Sequence, residues 1–196
     1  MDQNRFEKQL NFILEIDKEK NIFRRTHLSG HGRCENDAEH AWHMAVMIYL
    51  LREYANEEFD IAKAMMMALI HDVVEIDAGD TFAFDTEGLK SQREREEKAA
   101  ERIFGLLPEN QNNELRELFE EFERGETPEA RFARVMDNFQ PLILTEANDG
   151  ADWKECPISK LQVLKRHSRN KLGSEFIGKH IESIIENNVN KGNIIP

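Results

Sequence analysis

The sequence predicts an all-α protein, and three observations support that prediction. Apolar residues recur at helical spacing in nearly every segment, and no stretch alternates with the period of two that is typical of a half-buried strand. Only 10 Gly and 5 Pro interrupt the 196 residues. No repeat and no Pro/Ser-rich linker divides the chain, so we expect residues 1–196 to form one domain. A domain of this length buries roughly 70% of its unfolded surface.

The helices of the first half are predicted from apolar stripes and capping residues. Residues 21–36 contain two glycines and are predicted to be a loop. Asp37 is the expected N-cap of a second helix over 38–54, and Asp60 is that of a third helix over 61–71. The first helix precedes the loop and presents one apolar stripe, formed by Phe6, Leu10, Ile13 and Leu14.

The second half is predicted in the same way. Residues 77–88 hold two glycines and are predicted to be a loop or a broken helix. Thr127 and Pro128 form a helix start signal, because a capping hydroxyl is followed by proline at the first helical position. Pro141 is expected to bend or stop that helix. The helices are expected at 89–104, 115–124, 128–141, 159–172 and 174–189.

The composition excludes several classes of protein. A formal charge of −12 and a pI near 5.1 argue against nucleic-acid polymers as partners, because duplex binding needs clustered cations. The longest nearly apolar stretch, Ile61–Ile70, is about half of the roughly 20 residues that a membrane span requires. The N-terminus carries no secretory signal, so no membrane association is expected. Two cysteines indicate a reducing, cytoplasmic setting. The composition is still compatible with a small anionic ligand held by one or two arginines.

Polar residues interrupt three apolar helix faces. His71 and Asp72 end the third helix after six apolar residues. Taken alone, this pair is equally well explained by a histidine that faces the helix carbonyls and an aspartate in solvent. His40 shares the buried stripe predicted for the second helix, and Asp137 lies among residues with core spacing. One buried nitrogen or oxygen ligand on each of three helices favours a divalent metal ion, such as Mn, Fe, Co, Ni, Zn or Mg.

The order of these residues on successive helices resembles the HD-domain metal-dependent phosphohydrolases. Residues 35–40 read ENDAEH and residues 71–80 read HDVVEIDAGD. This joined pattern resembles the branch of that family that contains 5′-deoxynucleotidases, and the resemblance extends from about residue 25 to residue 137. It implies an HD-type helical bundle with a metal-site core over about 25–145, on which the C-terminal helices at 157–190 pack.

The resemblance also implies a role for each matching residue. Glu75 and Asp80 would be catalytic acids in the pocket. Arg25 would contact the phosphate of the substrate, whereas its neighbour Arg24 is a rival that we expect to face solvent. Where the nucleotidases have a tryptophan close to that arginine, this chain reads Thr-His-Leu. Four residues would hold the metal ion, namely His40, His71, Asp72 and Asp137.

A single metal ion is expected at this centre. Binuclear relatives have further histidines after the His-Asp pair. The only later histidines of this chain are His167 and His180, which lie outside the core pattern and are predicted to be surface residues.

The activity that the resemblance implies is hydrolysis of a small phosphomonoester, above all a (deoxy)nucleoside 5′-monophosphate, by a metal-activated water. One alternative is a nucleoside triphosphate or alarmone hydrolase, which needs several cations where the sequence offers few near the motifs. Another is a non-catalytic, metal-stabilised nucleotide-binding module, which would have little use for Glu75 and Asp80. The branch commonly forms homodimers. Five apolar residues in irregular or terminal segments would either form such an interface or fold back on the domain, namely Phe82, Phe84, Trp153, Ile194 and Ile195.

Overall fold

The computed structural model describes residues 2–196 and is mainly helical, as predicted. A two-stranded antiparallel hairpin replaces the predicted loop at 21–36, and it pairs Phe23 with Asn36 and His27 with Cys34. The elements are α1 Gln3–Ile16, β1 Phe23–His27, β2 Cys34–Asn36, α2 Asp37–Leu51, α3 Ile61–Ile70, α4 Glu75–Ala78, α5 Gly88–Phe104, α6 Glu109–Arg124, α7 Pro128–Ala147, α8 Ala151–Glu155, α9 Lys160–Arg166, α10 Asn170–Gly173 and α11 Glu175–Asn190. Short 3₁₀ turns cover Asp17–Asn21 and Arg52–Tyr54.

Helix α7 is the central element of the fold. It packs against α2, α3, α6, α10 and α11. One apolar cluster joins α2, α3 and α7 to the C-terminal helices, and a second joins the chain after α3 to α5 and α6. The face of α7 that meets α2 and α3 therefore lies where three helices can bring polar side chains together.

The ends of α2 and α3 are fixed by capping residues. Asp60 caps α3 as predicted, because its carboxylate accepts the Lys63 N–H. Helix α2 is capped by Asn36 rather than by Asp37, since Asn36 and Glu39 form a reciprocal capping box. Asp37 lies instead in the first turn, fully buried.

Helix α7 begins at Pro128 with Thr127 as its N-cap, as predicted, but Pro141 does not end it. The helix continues to Ala147 with Pro141 inside it. A proline removes the N–H that would bond to the carbonyl four residues earlier, and here that carbonyl belongs to Asp137. The missing backbone hydrogen bond is thus at Asp137, the one residue of α7 that is a candidate metal ligand.

Two predictions about the helices are wrong. The stripe of α1 faces solvent, with Leu14 69% exposed, whereas Phe12 is the residue that α1 buries. The helix predicted over 159–172 is divided into α9 and α10 by a turn at 167–169. Of the two alternatives left open for the apolar residues of irregular and terminal segments, Trp153 and Ile194 follow the second, because they are buried and fold back on the domain. No helix within residues 2–196 is long and apolar enough to cross a membrane.

Candidate metal centre

The structure brings His40, His71, Asp72 and Asp137 together, although they come from α2, the end of α3 and the middle of α7. Nε2 of His40 lies 3.4 Å from Oδ1 of Asp137. Nε2 of His71 lies 3.1 Å from Oδ1 of Asp72 and 3.8 Å from Oδ1 of Asp137. All four residues are buried. Two imidazole nitrogens and two carboxylates thus converge on one small volume.

The two histidines are oriented by partners on their other ring nitrogen. Nδ1 of His40 lies 2.8 Å from Oε1 of Gln140, and Nδ1 of His71 lies 2.9 Å from the carbonyl oxygen of Ala68. Since both partners are acceptors, the proton of each neutral imidazole is on Nδ1, and in that form Nε2 presents its lone pair to the centre. Both Nε2 atoms are buried without a hydrogen-bond partner. A buried polar atom without a partner is costly, and a metal ion would satisfy both nitrogens.

The electrostatics of the centre favour a positive charge. Burial alone would raise the pKa of Asp137, but the two facing imidazoles hold it well below its ordinary value. Burial likewise opposes ionisation of Asp72, but His71 and Arg24 keep its pKa low. Burial would lower the pKa of His71, yet Asp72 and Asp137 hold it well above the ordinary value. Two buried carboxylates therefore remain ionised, and they attract a cation to the histidines.

Arg24 is mostly buried beside the centre, with 14% of its side chain exposed, and the prediction that it faces solvent is wrong. Its Nη1 donates to Oδ2 of Asp72 at 2.7 Å and to Oδ1 of Asp37 at 3.2 Å. The hairpin places it there, because β1 runs past the start of α2. One guanidinium thus neutralises two buried carboxylates, one of which is a candidate metal ligand.

Glu75 begins α4, one helical turn after His71, and its carboxyl group is buried beside the centre. Oxygens of Asp37, Asp72 and Glu75 lie within 4.8 Å of one another. Burial, together with the charges of Asp72 and Asp37, raises the pKa of Glu75 to about 12. Asp80, which lines the adjoining cavity, also has a raised pKa, chiefly because of burial. Glu75 therefore carries a proton at neutral pH that it can donate.

A cavity of about 760 Å³ opens beside the centre and is lined by residues from β1, α7 and the segments after α3 and α7. Eight carboxylates lie on its wall, including those of Asp72, Glu75, Asp80 and Asp137. Five arginines also line it, which is more than the sequence motifs suggested, namely Arg24, Arg25, Arg93, Arg134 and Arg166.

Arg25 differs from the other four arginines. Each of those lies within 4.0 Å of a carboxylate oxygen, whereas no ion pair involves Arg25 within residues 2–196. Its guanidinium rests 4.4 Å from the ring centroid of Phe82. Arg25 is therefore exposed, supported by an aromatic face and available to an anion in the cavity.

Sequence reasoning missed the residues that position the site. Gln140 links Nδ1 of His40 to Oε2 of Glu35, to which its amide donates at 2.8 Å. The sequence did hold one sign of this role, because Gln140 is a polar residue that lies one helical turn after Asp137 on the buried face of α7. His167 is not a surface residue, because it lines the cavity and bonds to Asn170, whereas His180 is exposed as predicted.

The chain is similar in sequence to proteins whose names state an activity. The human protein named 5′-deoxynucleotidase HDDC2 is 30% identical over 125 residues, which are 64% of this chain and 59% of that protein. The 5′-deoxynucleotidase hdd1 of Schizosaccharomyces pombe is 30% identical over 113 residues, or 55% of each chain. The match thus spans less than two thirds of the length of these relatives.

A solved structure is similar over nearly the whole chain. It is described as a predicted metal-dependent phosphohydrolase from Magnetospirillum magnetotacticum MS-1, with 43% identity and a TM-score of 0.94 over 99% of this chain and 97% of that chain. The model of the family described as HD domain matches residues 16–176. Because that match takes in both the His-Asp pair and the central helix, this protein belongs to the HD-domain family.

Proposed function

We propose that this chain is a metal-dependent phosphohydrolase of small phosphomonoesters, with a (deoxy)nucleoside 5′-monophosphate as the first candidate substrate. The observation that carries the proposal is the pair of buried, unpartnered imidazole nitrogens that face two ionised carboxylates beside an open cavity. The names of the relatives, two of them 5′-deoxynucleotidases, support the reaction and the substrate class.

His40, His71, Asp72 and Asp137 are the proposed ligands of one divalent ion. Imidazole and carboxylate together suit borderline and hard ions, so Mn, Fe, Co, Ni, Zn and Mg are the candidates. When bound, such an ion supplies a water of lowered pKa and neutralises charge on the phosphoryl group. Gln140, Ala68 and Arg24 are positioning groups, since they hold the ligands and not the substrate.

Glu75 is the proposed general acid. The leaving oxygen of a phosphomonoester needs a proton as its bond to phosphorus breaks, and a carboxyl group with a raised pKa holds one at neutral pH. Asp80, on the same cavity wall, is the proposed second acid of the pocket. Neither group would serve a module that only binds nucleotides, which supports catalysis over that alternative.

Arg25 is the proposed phosphate-binding residue. A guanidinium binds two oxygens of a phosphate through parallel hydrogen bonds, and Arg25 has no competing carboxylate partner within the described residues 2–196. Four of the five arginines on the cavity wall are already paired with carboxylates, so the unpaired Arg25 suits one phosphate group better than the several of a triphosphate or an alarmone. The charge balance thus supports a phosphomonoester substrate.

The test is a turnover screen on untagged protein that has been stripped of metal and reloaded with Mn, Co, Ni, Mg or Zn. We expect release of phosphate from deoxynucleoside 5′-monophosphates. His71→Ala should lose both bound metal and turnover, whereas His180→Ala, an exposed histidine on α11, should keep both. A metal-loaded wild-type protein that cleaves no phosphomonoester with any of these ions would contradict the proposal.

A second copy of the chain is the proposed partner, although not through the residues that the sequence suggested. Helix α2 exposes one apolar stripe at i, i+4, i+7 and i+8, and α3, which packs against α2, exposes Met66 and Leu69. Exposed apolar surface of this extent often marks an interface. The stripe of α2 is formed by Trp42, Val46, Tyr49 and Leu50.

The proposed setting is cytoplasmic. Cys34 and Cys156 are both free thiols, and each lies 3.9 Å from an atom of Arg25. Free thiols and the absence of a disulfide framework among residues 2–196 are typical of proteins from a reducing compartment.

A further inference from the structure

A second group of potential ligands shares no residue with the metal centre and lies where the hairpin loop meets α8. His27 ends β1, His31 lies in the loop between β1 and β2, and Asp152 lies in α8. One donor atom of each lies within 4.8 Å of the donor atoms of the other two. None of these three residues contacts the candidate metal centre through a hydrogen bond or ion pair given above.

The contacts of this group resemble those of an ordered metal site. Nδ1 of His27 lies 2.7 Å from Oδ1 of Asp152, and the rings of His27 and His31 lie 4.6 Å apart between centroids. The other carboxylate oxygen of Asp152 accepts a hydrogen bond from the Thr145 hydroxyl at 2.8 Å. Metal-binding carboxylates are commonly oriented by such a donor.

The backbone of the loop is held in the conformation that brings His31 into the group. His31 has φ of +54°, a left-handed conformation that few side chains adopt. Asn148 fixes this conformation, because its Oδ1 accepts the His31 N–H at 2.9 Å and its amide donates to the carbonyls of His27 and Leu28. The imidazole of His31 is thus directed towards α8 by contacts that the proposed phosphohydrolase site does not require.

The charge around the group also favours a cation. Oε1 of Glu155 lies 3.5 Å from Nε2 of His31, so a second carboxylate adjoins the cluster. The thiol of Cys34 lies 3.7 Å from Nε2 of His27. Two imidazoles and a carboxylate are donors that suit a borderline ion such as Zn²⁺ better than Mg²⁺ or Ca²⁺.

We propose that His27, His31 and Asp152 bind a second divalent ion of the zinc class, separate from the ion of the proposed catalytic centre. The ion would take the place of the proton between His27 and Asp152, which need to separate from 2.7 Å to roughly 3.3 Å to be ligands at about 2.0–2.1 Å. It would join the hairpin to α8, two segments 125 positions apart in the chain, and two of its ligands, His27 and Asp152, also line the cavity.

The test counts bound zinc per chain on untagged protein after equilibration with Zn²⁺ and a weak competing chelator. The central variant is His31→Asn, because asparagine tolerates positive φ and the His31 side chain is 46% exposed, so the fold is not at risk. We expect one zinc ion fewer in His31→Asn and in His27→Ala than in the wild type. His180→Ala is the matched control and should bind as many ions as the wild type.

A second readout separates this site from the catalytic centre. In a His71→Ala background, Zn²⁺ should still raise the melting temperature, and this rise should be lost in His71→Ala/His31→Asn. The number of zinc ions bound per chain should also be lower by one in His71→Ala/His31→Asn than in His71→Ala. This difference does not depend on how much zinc the catalytic centre binds. If His31→Asn and His27→Ala bind as much zinc as the wild type, or if zinc stabilises both His71→Ala proteins equally, the proposal is overturned.

Discussion

Arg24 and Arg25 are neighbours in the chain and have opposite environments. Arg24 is mostly enclosed and pairs with Asp37 and Asp72, whereas Arg25 lies exposed on Phe82. We expect Arg25→Ala to raise KM for a nucleoside monophosphate by roughly 10- to 100-fold, because charge-assisted hydrogen bonds contribute about 1.5–3 kcal/mol. Arg25→Lys should be nearly as poor, since the two-pronged contact is lost. Steady-state kinetics with unchanged KM in both variants would remove Arg25 from the site.

The matched variant is Arg24→Ala. It leaves two buried carboxylates without their cation, so it should lower the free energy of unfolding by about 3–5 kcal/mol. Arg25→Ala should leave that free energy within about 0.5 kcal/mol of the wild type. Urea unfolding of the two variants side by side distinguishes a positioning residue from a substrate-binding residue.

A substitution at Glu75 tests its proposed role in catalysis independently of metal binding. Glu75→Gln keeps the size of the side chain but removes the proton that the carboxyl group can donate. We expect kcat to fall by roughly 10²-fold or more, the usual scale for the loss of a positioned acid, while metal content stays unchanged. Glu97→Gln on the exposed face of α5 is the control. Full activity in Glu75→Gln would show that its assigned role is wrong.

Glu19 predicts a dependence of stability on pH. It is buried in the turn before β1, and burial together with the charge of Asp72 raises its pKa to about 8 from an ordinary value of 4.5. Between these two values the folded state binds the proton and the unfolded state releases it, so stability falls as pH rises.

Glu19→Gln removes this loss. In metal-free protein we expect the substitution to increase the free energy of unfolding more at pH 8 than at pH 5. The difference between the two gains has an upper limit of about 5 kcal/mol, because each unit of the pKa shift corresponds to about 1.4 kcal/mol. Glu94→Gln, an exposed residue of α5, should show no such difference. Urea unfolding at the two pH values is the measurement, and equal gains at both would contradict the assignment.

Among the elements, α7 couples helix stability to the site, because it supplies both Asp137 and Gln140. Its N-cap, Thr127, accepts the Ala130 N–H at 3.3 Å and donates to Glu121 at 2.6 Å. We expect Thr127→Ala to lower the free energy of unfolding by about 1 kcal/mol. Thr86→Ala, in the exposed segment before α5, should change it little. A Thr127→Ala protein as stable as the wild type would show that the cap contributes nothing here.

The sequence predicts an element where its residues carry a local signal. Asp60, Thr127 and Pro128 fix helix starts by contacts within four residues, so those starts were predictable. The hairpin was missed because β1 does not alternate between apolar and polar residues. Likewise, His71 and Asp72 were found because they adjoin on one apolar helix.

The partners that complete the site carry no such local signal. Arg24 reaches Asp72 across 48 positions, and Gln140 reaches His40 across 100. Only the packing of the hairpin and α7 against α2 creates these contacts, so no spacing rule predicts them.

At the scale of the whole molecule, the exposed stripe of α2 predicts self-association. Leu50 is 61% exposed and Trp42 is 64% exposed, and their burial in a dimer would remove that apolar area from water. We expect sedimentation at micromolar concentration to give twice the chain mass, and Trp42→Lys/Leu50→Lys to give a monomer. Leu161→Lys, which alters an exposed leucine of α9, is the control. A wild-type mass near 22.9 kDa would contradict the dimer.

The long chain separation between His40 and Gln140 has a consequence for the order of events during synthesis. Helices α2 and α3 adjoin in sequence and can pair as soon as they leave the ribosome. The donor set is incomplete until residue 137 has emerged, and His40 has no orienting partner before residue 140. A nascent chain shorter than this therefore lacks the full ligand set. Metal binding at the proposed four-ligand centre therefore has to follow the synthesis of α7.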